Sequence, residues 1–442
     1  LITPEEFDAL HAELAKDAEP AKEIPQGGWV VTENGSLGHR QPGQDTWISL
    51  FYKTVDGAKV RSDYFYPTNQ PWKLAKHQGF TLPKFAGLLP ELCKRLNVSA
   101  TSGTDPEIFV QDRWGDILPA WSFLPNKAEA YKLPRWENEK VFRDSGPLSA
   151  EVKANSVAYW DGFQAEFSTP GVNCLDILCA EVFHQLKALQ AKMPLGCKLS
   201  PESTLPVTQL VLDKASEEHV ALGCKPSLNA YGHKGICVEN CRDLRHRFAG
   251  GHIHFGLDEQ FKAPEQLIAA VKMIDAVMGV ASVSLLPKES PIRRRYYGLA
   301  GEYRTPSHGL EYRVLSNYWL RSPKLFMLTF TLARGAMRLG LRDFRKDYQA
   351  SDAEVTECIN NHDVDLACKL IDRNRVIYEA LLNAYCNADA RGVDYTLAMF
   401  KGGVDNYLPS QDIPANWHLD QPTYGYANKE LSGRWGLHLA SI

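Results

Sequence analysis

The chain has 442 residues, of which 44% are hydrophobic and 23% charged, and its formal net charge is −4. That length can bury a large core in two or three structural units, and the composition excludes long disorder. The charge offers nucleic acid no global attraction, and no uninterrupted apolar run approaches the roughly 18 residues of a membrane span.

The first residues, Leu1-Ile2-Thr3-Pro4-Glu5-Glu6, lack the basic and apolar regions of a signal peptide. Thr3 and Pro4 suit a helix start, so a short helix is predicted near residues 4–16. Residues 46–52 and 59–66 flank Asp56-Gly57 and predict a β-hairpin. Residues 1–98 read as an N-terminal appendage without chemistry of its own. From about 99 to 345, strand patterns alternate with amphipathic helices. Leu175, Leu178, Val182, Leu186 and Leu189 form one helical stripe. Leu267, Val271, Ile274 and Met278 form another behind Pro264, and 323–344 reads as a third helix. The polar segment 126–158 lacks periodicity and reads as a loop near the site. Residues 346–442 read as a helical extension, with helices over 352–400, ending in an aromatic-rich tail.

The ten cysteines are scattered, several in apolar helical stretches (Cys174, Cys179, Cys368), which fits reduced thiols in a cytoplasm. His233, Cys237, Cys241 and His246 offer zinc-ligand types, but without a CxxC knuckle, and a loop with packed thiols is the favoured reading.

Four segments put ionisable side chains on one face of a predicted strand, because strand side chains alternate. Asp105 and Glu107 share a face, and two adjacent carboxylates repel unless a cation lies between them. Gln164 and Glu166, close behind Asp161, face away from Phe163, Ala165 and Phe167. His252 and His254 share a face in Gly250-Gly251-His252-Ile253-His254-Phe255-Gly256, and buried imidazoles need partners. Glu311 and Arg313 share a face opposite Leu310, Tyr312 and Val314. The four strands suggest one sheet with a charged front. Arg293-Arg294-Arg295-Tyr296-Tyr297-Gly298 and Arg304 add guanidinium groups suited to phosphate. No GxxxxGK[ST] or GxGxxG loop is present, so a nucleotide must be held through metals and arginines. Oxygen donors favour Mg²⁺ or Mn²⁺.

These stretches, with 223–231 and Arg247-Phe248-Ala249, occur in an order that resembles the carboxylate–amine ligases of the glutamine synthetase and glutamate–cysteine ligase superfamily. The likeness is greatest to the phage-type COOH–NH2 ligases (type 2) and covers roughly residues 100–345. The resemblance implies an α+β fold: a glutamine synthetase-like antiparallel sheet with a polar active-site face, backed by helices. It implies an ATP-dependent ligase that forms an amide or peptide bond through an acyl phosphate. Carried over residue by residue, it implies Glu107, Glu166, His254 and Glu311 as metal ligands. His252, His254, Arg295, Arg304 and Arg313 resemble the nucleotide contacts, and Glu107, Glu166, Arg295 and Arg313 the catalytic set. ATP and Mg²⁺ (or Mn²⁺) are the implied cofactors, and small-molecule or peptide carboxylates and amines the implied substrates. The chain departs from the family pattern at Asp105, Ser168 and Lys225. No nucleic-acid or membrane partner is expected, a homo-oligomer is compatible, and the expected location is the cytoplasm, a host's if the protein is phage-encoded. The alternative is a catalytically inactive version of the fold acting as a binding or virion-associated protein. A metal hydrolase using His252 and His254 is weaker, since it leaves the arginines without a role.

Overall fold

The structure, a computed structural model, describes residues 28–31, 37–38, 47–53, 59–65, 100–132, 139–143, 146–152, 158–172, 175–220, 227–233, 241–342, 348–386, 390–408 and 410–421. The helix predicted near 4–16, Cys237 and Lys225 lie outside the described residues. The chain forms two compact units. One comprises Leu1–Val98, Asn374–Thr396 and Gly436–Ile442, the other Ser99–Arg373 and Leu397–Trp435.

In the first unit β1 (Gly28–Val31), β2 (Leu37–Gly38), β3 (Trp47–Lys53) and β4 (Lys59–Phe65) make one sheet, in the order β2-β1-β3-β4. β3 and β4 pair antiparallel with Tyr52 opposite Val60, as the Asp56-Gly57 signal implies, while β1 runs parallel to β3. Helix Arg375–Cys386 belongs to this unit and buries Tyr378, Leu381 and Leu382.

The second unit begins with β5 (Ala100–Thr104), which stops at Asp105-Pro106 because proline cannot donate to a ladder. The short strands β6 (Glu107–Ile108), β7 (Val110–Gln111) and β8 (Ile117–Leu118) follow. The segment 126–158, predicted as a loop, contains helix Lys127–Ala130 and the antiparallel pair β9 (Glu139–Arg143) and β10 (Gly146–Val152). Asn126 and Glu129 form a capping box that fixes the start of that helix. Then come β11 (Tyr159–Asp161) and β12 (Gln164–Glu166), turning at Gly162, whose φ of 60° favours glycine.

Helix Leu175–Lys192 buries Leu178, Val182, Leu186 and Leu189, as its stripe predicts. β13 (Lys198–Leu199), β14 (Thr204–Pro206), β15 (Leu228–Asn229), β16 (His246–Phe248) and β17 (Ile253–Leu257) lie between it and a long helix, Pro264–Leu285. β18 (Glu302–Arg304), β19 (Gly309–Tyr312) and helix Pro323–Leu341, whose N-cap Ser322 accepts from Leu325 N, complete the sheet and its backing.

The principal sheet has the order β15-β18-β19-β17-β5, every neighbouring pair antiparallel. Alternation sorts its faces: in β17, Ile253, Phe255 and Leu257 are buried, while His254 and Gly256 are half-buried. The expected α+β architecture is present, with an antiparallel sheet polar on one face and helices on the other. The helices Pro264–Leu285 and Pro323–Leu341 cross closely at Gly340, where a Cβ would stand 2.6 Å from Ala269 O and Ala270 Cα. Helix Pro264–Leu285 has 22 residues and reaches the apolarity of a membrane span, but 83% of its apolar window is buried within the protein, as in a core helix. One π-helical turn, Asp275–Gly279, interrupts it. There Asp275 Oδ1 accepts from Tyr312 Oη (2.5 Å) and Oδ2 from Gly301 N (2.6 Å), tying the helix to the back of β19. Burial pushes the Asp275 carboxyl up to about 7 despite these hydrogen bonds.

Candidate metal centre and functional site

The four charged segments are divided between two sheets. β17 and β19 lie in the principal sheet beside β5, whereas β12 pairs with β6 and β11 in a three-stranded sheet. The chain passes from one sheet to the other at Asp105-Pro106, so Asp105 and Glu107 enter different clusters although only two residues apart.

The first cluster is Glu107, Asp161 and Glu166, each offering a carboxylate oxygen within 4.8 Å of the others. Strand register brings them together. Glu166 is opposite Glu107 on β6 and opposite Tyr159 on β11. Glu107 and Glu166 are about 5% and 6% exposed. Burial, reinforced by the Asp161 charge, pushes the Glu107 carboxyl up to about 7. Glu166 is driven well above the ordinary range by burial and by Asp105 and Asp161, and Asp161 is raised by burial. Two buried acids and a half-buried third in so small a volume oppose one another's ionisation unless a cation lies among them. One backbone N–H, from Gly250, donates to Glu107 Oε2 (2.7 Å). Tyr159 Oη donates to Glu166 Oε1 and meets Ser168 Oγ at 2.9 Å, so Ser168 bears on Glu166 through a tyrosine. Lys127 Nζ stands 3.4 Å from Glu166 Oε1 and lies over the Tyr159 ring.

The second cluster is Asp105, His254 and Glu311, with ligand atoms again within 4.8 Å. His254 on β17 is opposite Glu311 on β19 and Gly103 on β5, two residues before Asp105. His254 Nε2 meets Asp105 Oδ1 at 2.8 Å, and His252 Nδ1 meets the same oxygen at 3.2 Å. Burial raises the Asp105 carboxyl, but the two imidazoles outweigh it and hold the group far below the usual carboxylate range. Glu311 likewise lies below its ordinary value: burial raises it, and His252 and Arg313 more than compensate. Arg313 donates to Glu311 Oε1, and Arg304 Nη1 lies 3.6 Å from that oxygen.

Tyr297 joins the clusters. Its hydroxyl meets His252 Nε2 and lies 3.3 Å from Glu107 Oε1, while Arg313 Nη2 approaches at 3.4 Å. Both nitrogens of His252 are thus engaged by Asp105 and Tyr297. Burial, with Arg313 nearby, lowers the His252 imidazole to about 4, so it is neutral at pH 7. Gly250 makes this approach feasible, since a Cβ there would stand 2.6 Å from both His252 Nε2 and Tyr297 Oη.

Of the residues singled out from sequence, Glu107 and Glu166 meet in one cluster, and His254, Glu311, Arg313 and Arg304 meet around the other. His252 bridges them. Arg295 is exposed at the end of the Arg293–Arg295 turn and is not among the side chains joined by these contacts. Its neighbours point inward. Arg293 donates to the carbonyls of Val314 and Leu315, and Arg294 to those of Gly298 and Val314. Asp105 and Asp161 complete the clusters, and Tyr297, Tyr159 and Lys127 surround them. The sequence signal for Tyr297 was indirect: two glycines beside a histidine announce something bulky close by. Among the described residues Cys197, Cys358 and Cys368 are free thiols.

The first donor set, three oxygens, suits a hard divalent cation, and the second joins an imidazole to two oxygens.

Residues 242–357 match the sequence model of the phage phiEco32-like COOH.NH2 ligase-type 2 family. A similar solved structure is a bifunctional glutathione synthetase from Pasteurella multocida, with 11% identity and a TM-score of 0.33, covering 71% of this chain. This chain covers 57% of that protein's length. No curated protein matches the chain. Glu107 and Glu166 lie before the matched segment, which holds His252, His254, Arg295, Arg304, Glu311 and Arg313. Over residues 242–357 the chain is thus similar in sequence to the phage phiEco32-like COOH.NH2 ligase-type 2 family, the family its motifs resemble.

Proposed function

We propose that this protein is an ATP-dependent carboxylate–amine ligase acting on small-molecule or peptide substrates, with Mg²⁺ or Mn²⁺ at the two clusters. The observation that carries the reading is the convergence of Glu107, Asp161 and Glu166 in a buried volume where burial and mutual repulsion oppose their ionisation. A site built to hold three acids together is explained by a divalent cation between them. Bound there, the cations would supply charge neutralisation at the phosphate oxygens of ATP.

The protein's own groups have separable roles. Glu107, Asp161 and Glu166 would hold one cation, and Asp105, His254 and Glu311 the other. Arg304, partly exposed on the charged face, is the guanidinium best placed to contact a phosphate. Arg313, buried between Glu311 and Tyr297, holds the Glu311 carboxylate in place. Arg295 remains a candidate phosphate contact only if its exposed turn closes on a bound nucleotide. In the reaction a substrate carboxylate oxygen attacks the γ-phosphorus of ATP, and the bond to the β–γ bridging oxygen breaks, releasing ADP. The amine nitrogen attacks the acyl carbon, the acyl carbon–oxygen bond breaks, phosphate leaves and the nitrogen loses a proton. Arg304 and the clusters preorganise positive charge where the transferred phosphoryl group carries negative charge.

The test uses purified protein with ATP, Mg²⁺ and a panel of carboxylates and amines. Metal-dependent ADP formation is expected, with transfer of one ¹⁸O from a labelled carboxylate to the released phosphate, and Glu107→Gln should abolish it. Absence of both ATP turnover and Mg²⁺-dependent ATP binding across the panel would favour the inactive, binding-protein alternative.

A further inference from the structure

His254 has a second imidazole at its back. His308, exposed in the turn before β19, places Nε2 3.1 Å from His254 Nδ1, with the ring centroids 5.2 Å apart. Lys262 Nζ holds this turn by donating to Ser307 O (2.8 Å). On its other side His254 Nε2 meets Asp105 Oδ1 at 2.8 Å. An ionised carboxylate only accepts hydrogen bonds, so Nε2 carries a proton whenever this contact stands without a cation. A cation shared with Asp105 and Glu311 needs the Nε2 lone pair instead. The ring proton must then sit on Nδ1, where the partner in line is His308 Nε2.

We infer that His308 is a positioning residue that accepts the Nδ1–H of His254 and so selects the tautomer with Nε2 free for a divalent cation. The inference rests on the cation reading of the Asp105–His254–Glu311 cluster. An imidazole that binds a metal through one nitrogen is ordinarily oriented by a hydrogen bond from the other, and loss of such a partner typically costs 10–100-fold in metal affinity. Carboxylates and carbonyls are the usual acceptors in that role. Here a second histidine supplies it and must itself carry its proton on Nδ1, away from His254.

The experiment is a Mg²⁺ titration of the full-length chain, uniformly ¹⁵N-labelled, followed through long-range proton–nitrogen correlations of the His254 ring. In the wild type, Mg²⁺ should shift the ring to the Nδ1–H form with Nε2 ligated. His308→Ala should lose affinity at this cluster by about tenfold or more, and the bound ring should become a mixture of tautomers. His308→Gln offers a carboxamide oxygen near the former Nε2 position and should recover most of the loss. If Mg²⁺ shifts His254 equally in the wild type and His308→Ala, the role of His308 is overturned while the cation reading stands. If Mg²⁺ leaves the wild-type ring unmoved, the cation reading of this cluster fails, and the role of His308 with it.

Discussion

Glu107→Gln should stabilise the cation-free protein at pH 8 while removing its response to Mg²⁺. The sign follows from the raised carboxyl. An acid whose folded pKa exceeds its unfolded value binds its proton more tightly in the native state, so stability falls as pH rises between the two values. For Glu107 the rise from 4.5 to about 7 corresponds to roughly 3 kcal/mol at most, expressed above pH 7 and absent below pH 4.5. Glutamine keeps an oxygen to accept from Gly250 N, and its NH2 can donate to Tyr297 Oη, so the hydrogen bonds at this position survive in weaker form. A net gain of about 1–3 kcal/mol at pH 8 is therefore expected, shrinking towards zero at pH 5. Urea denaturation in EDTA at both pH values, followed by tryptophan fluorescence, measures it. Added Mg²⁺ at a hundred times its dissociation constant should stabilise the wild type by about 2.7 kcal/mol and the variant far less. Equal destabilisation of the variant at pH 5 and pH 8, with equal protection of both proteins by Mg²⁺, would refute the reasoning.

Further outcomes follow from other contacts. Asp275, raised to about 7, should make the wild type lose up to about 4 kcal/mol of stability as pH rises from about 4 to 7. Asp275→Asn removes that slope, so the variant should gain on the wild type as pH rises from about 4 to 7; a difference that stays constant over that range would contradict it. Gly250→Ala drives a Cβ to within 2.6 Å of His252 Nε2 and Tyr297 Oη, and should cost roughly 1–3 kcal/mol and weaken Mg²⁺ binding, read by calorimetry. Arg304→Ala should raise the dissociation constant for ATP about tenfold and change stability by no more than about 0.5 kcal/mol. Arg313→Ala should cost about 3–5 kcal/mol, because it leaves the Glu311 carboxylate buried without its partner, a contrast that paired thermal melts would reveal.

Strand periodicity located most of the charged side chains because it is a local property. It put His254 and Glu311 on the face that later carried the second cluster. What it could not express was register between strands distant in sequence. Glu166 meets Glu107 through the pairing of β12 with β6, and His254 meets Asp105 through the pairing of β17 with β5. The family resemblance left Asp105 and Asp161 outside the implied metal ligands, although each completes a cluster. Pro106 marked the place where one predicted strand becomes two, and that break sends Asp105 and Glu107 to different sites. The Arg293–Arg295 run is a different case. Three consecutive arginines carry no periodicity, and a tight turn directs Arg293 and Arg294 into backbone carbonyls while leaving Arg295 outside. The first strand of the pair β9 and β10 does not alternate between polar and apolar residues, whereas the second alternates only over Leu148–Val152, too short a signal beside an unpatterned partner.

The central claim is that two divalent cations and ATP share the face formed by these clusters. Crystals grown with Mn²⁺ and a non-hydrolysable ATP analogue test it through the anomalous scattering of manganese. Two anomalous peaks are predicted, one at bonding distance from Glu107, Asp161 and Glu166 and one from Asp105, His254 and Glu311, with the terminal phosphate beside them. A bound nucleotide with no manganese at either cluster would contradict the account.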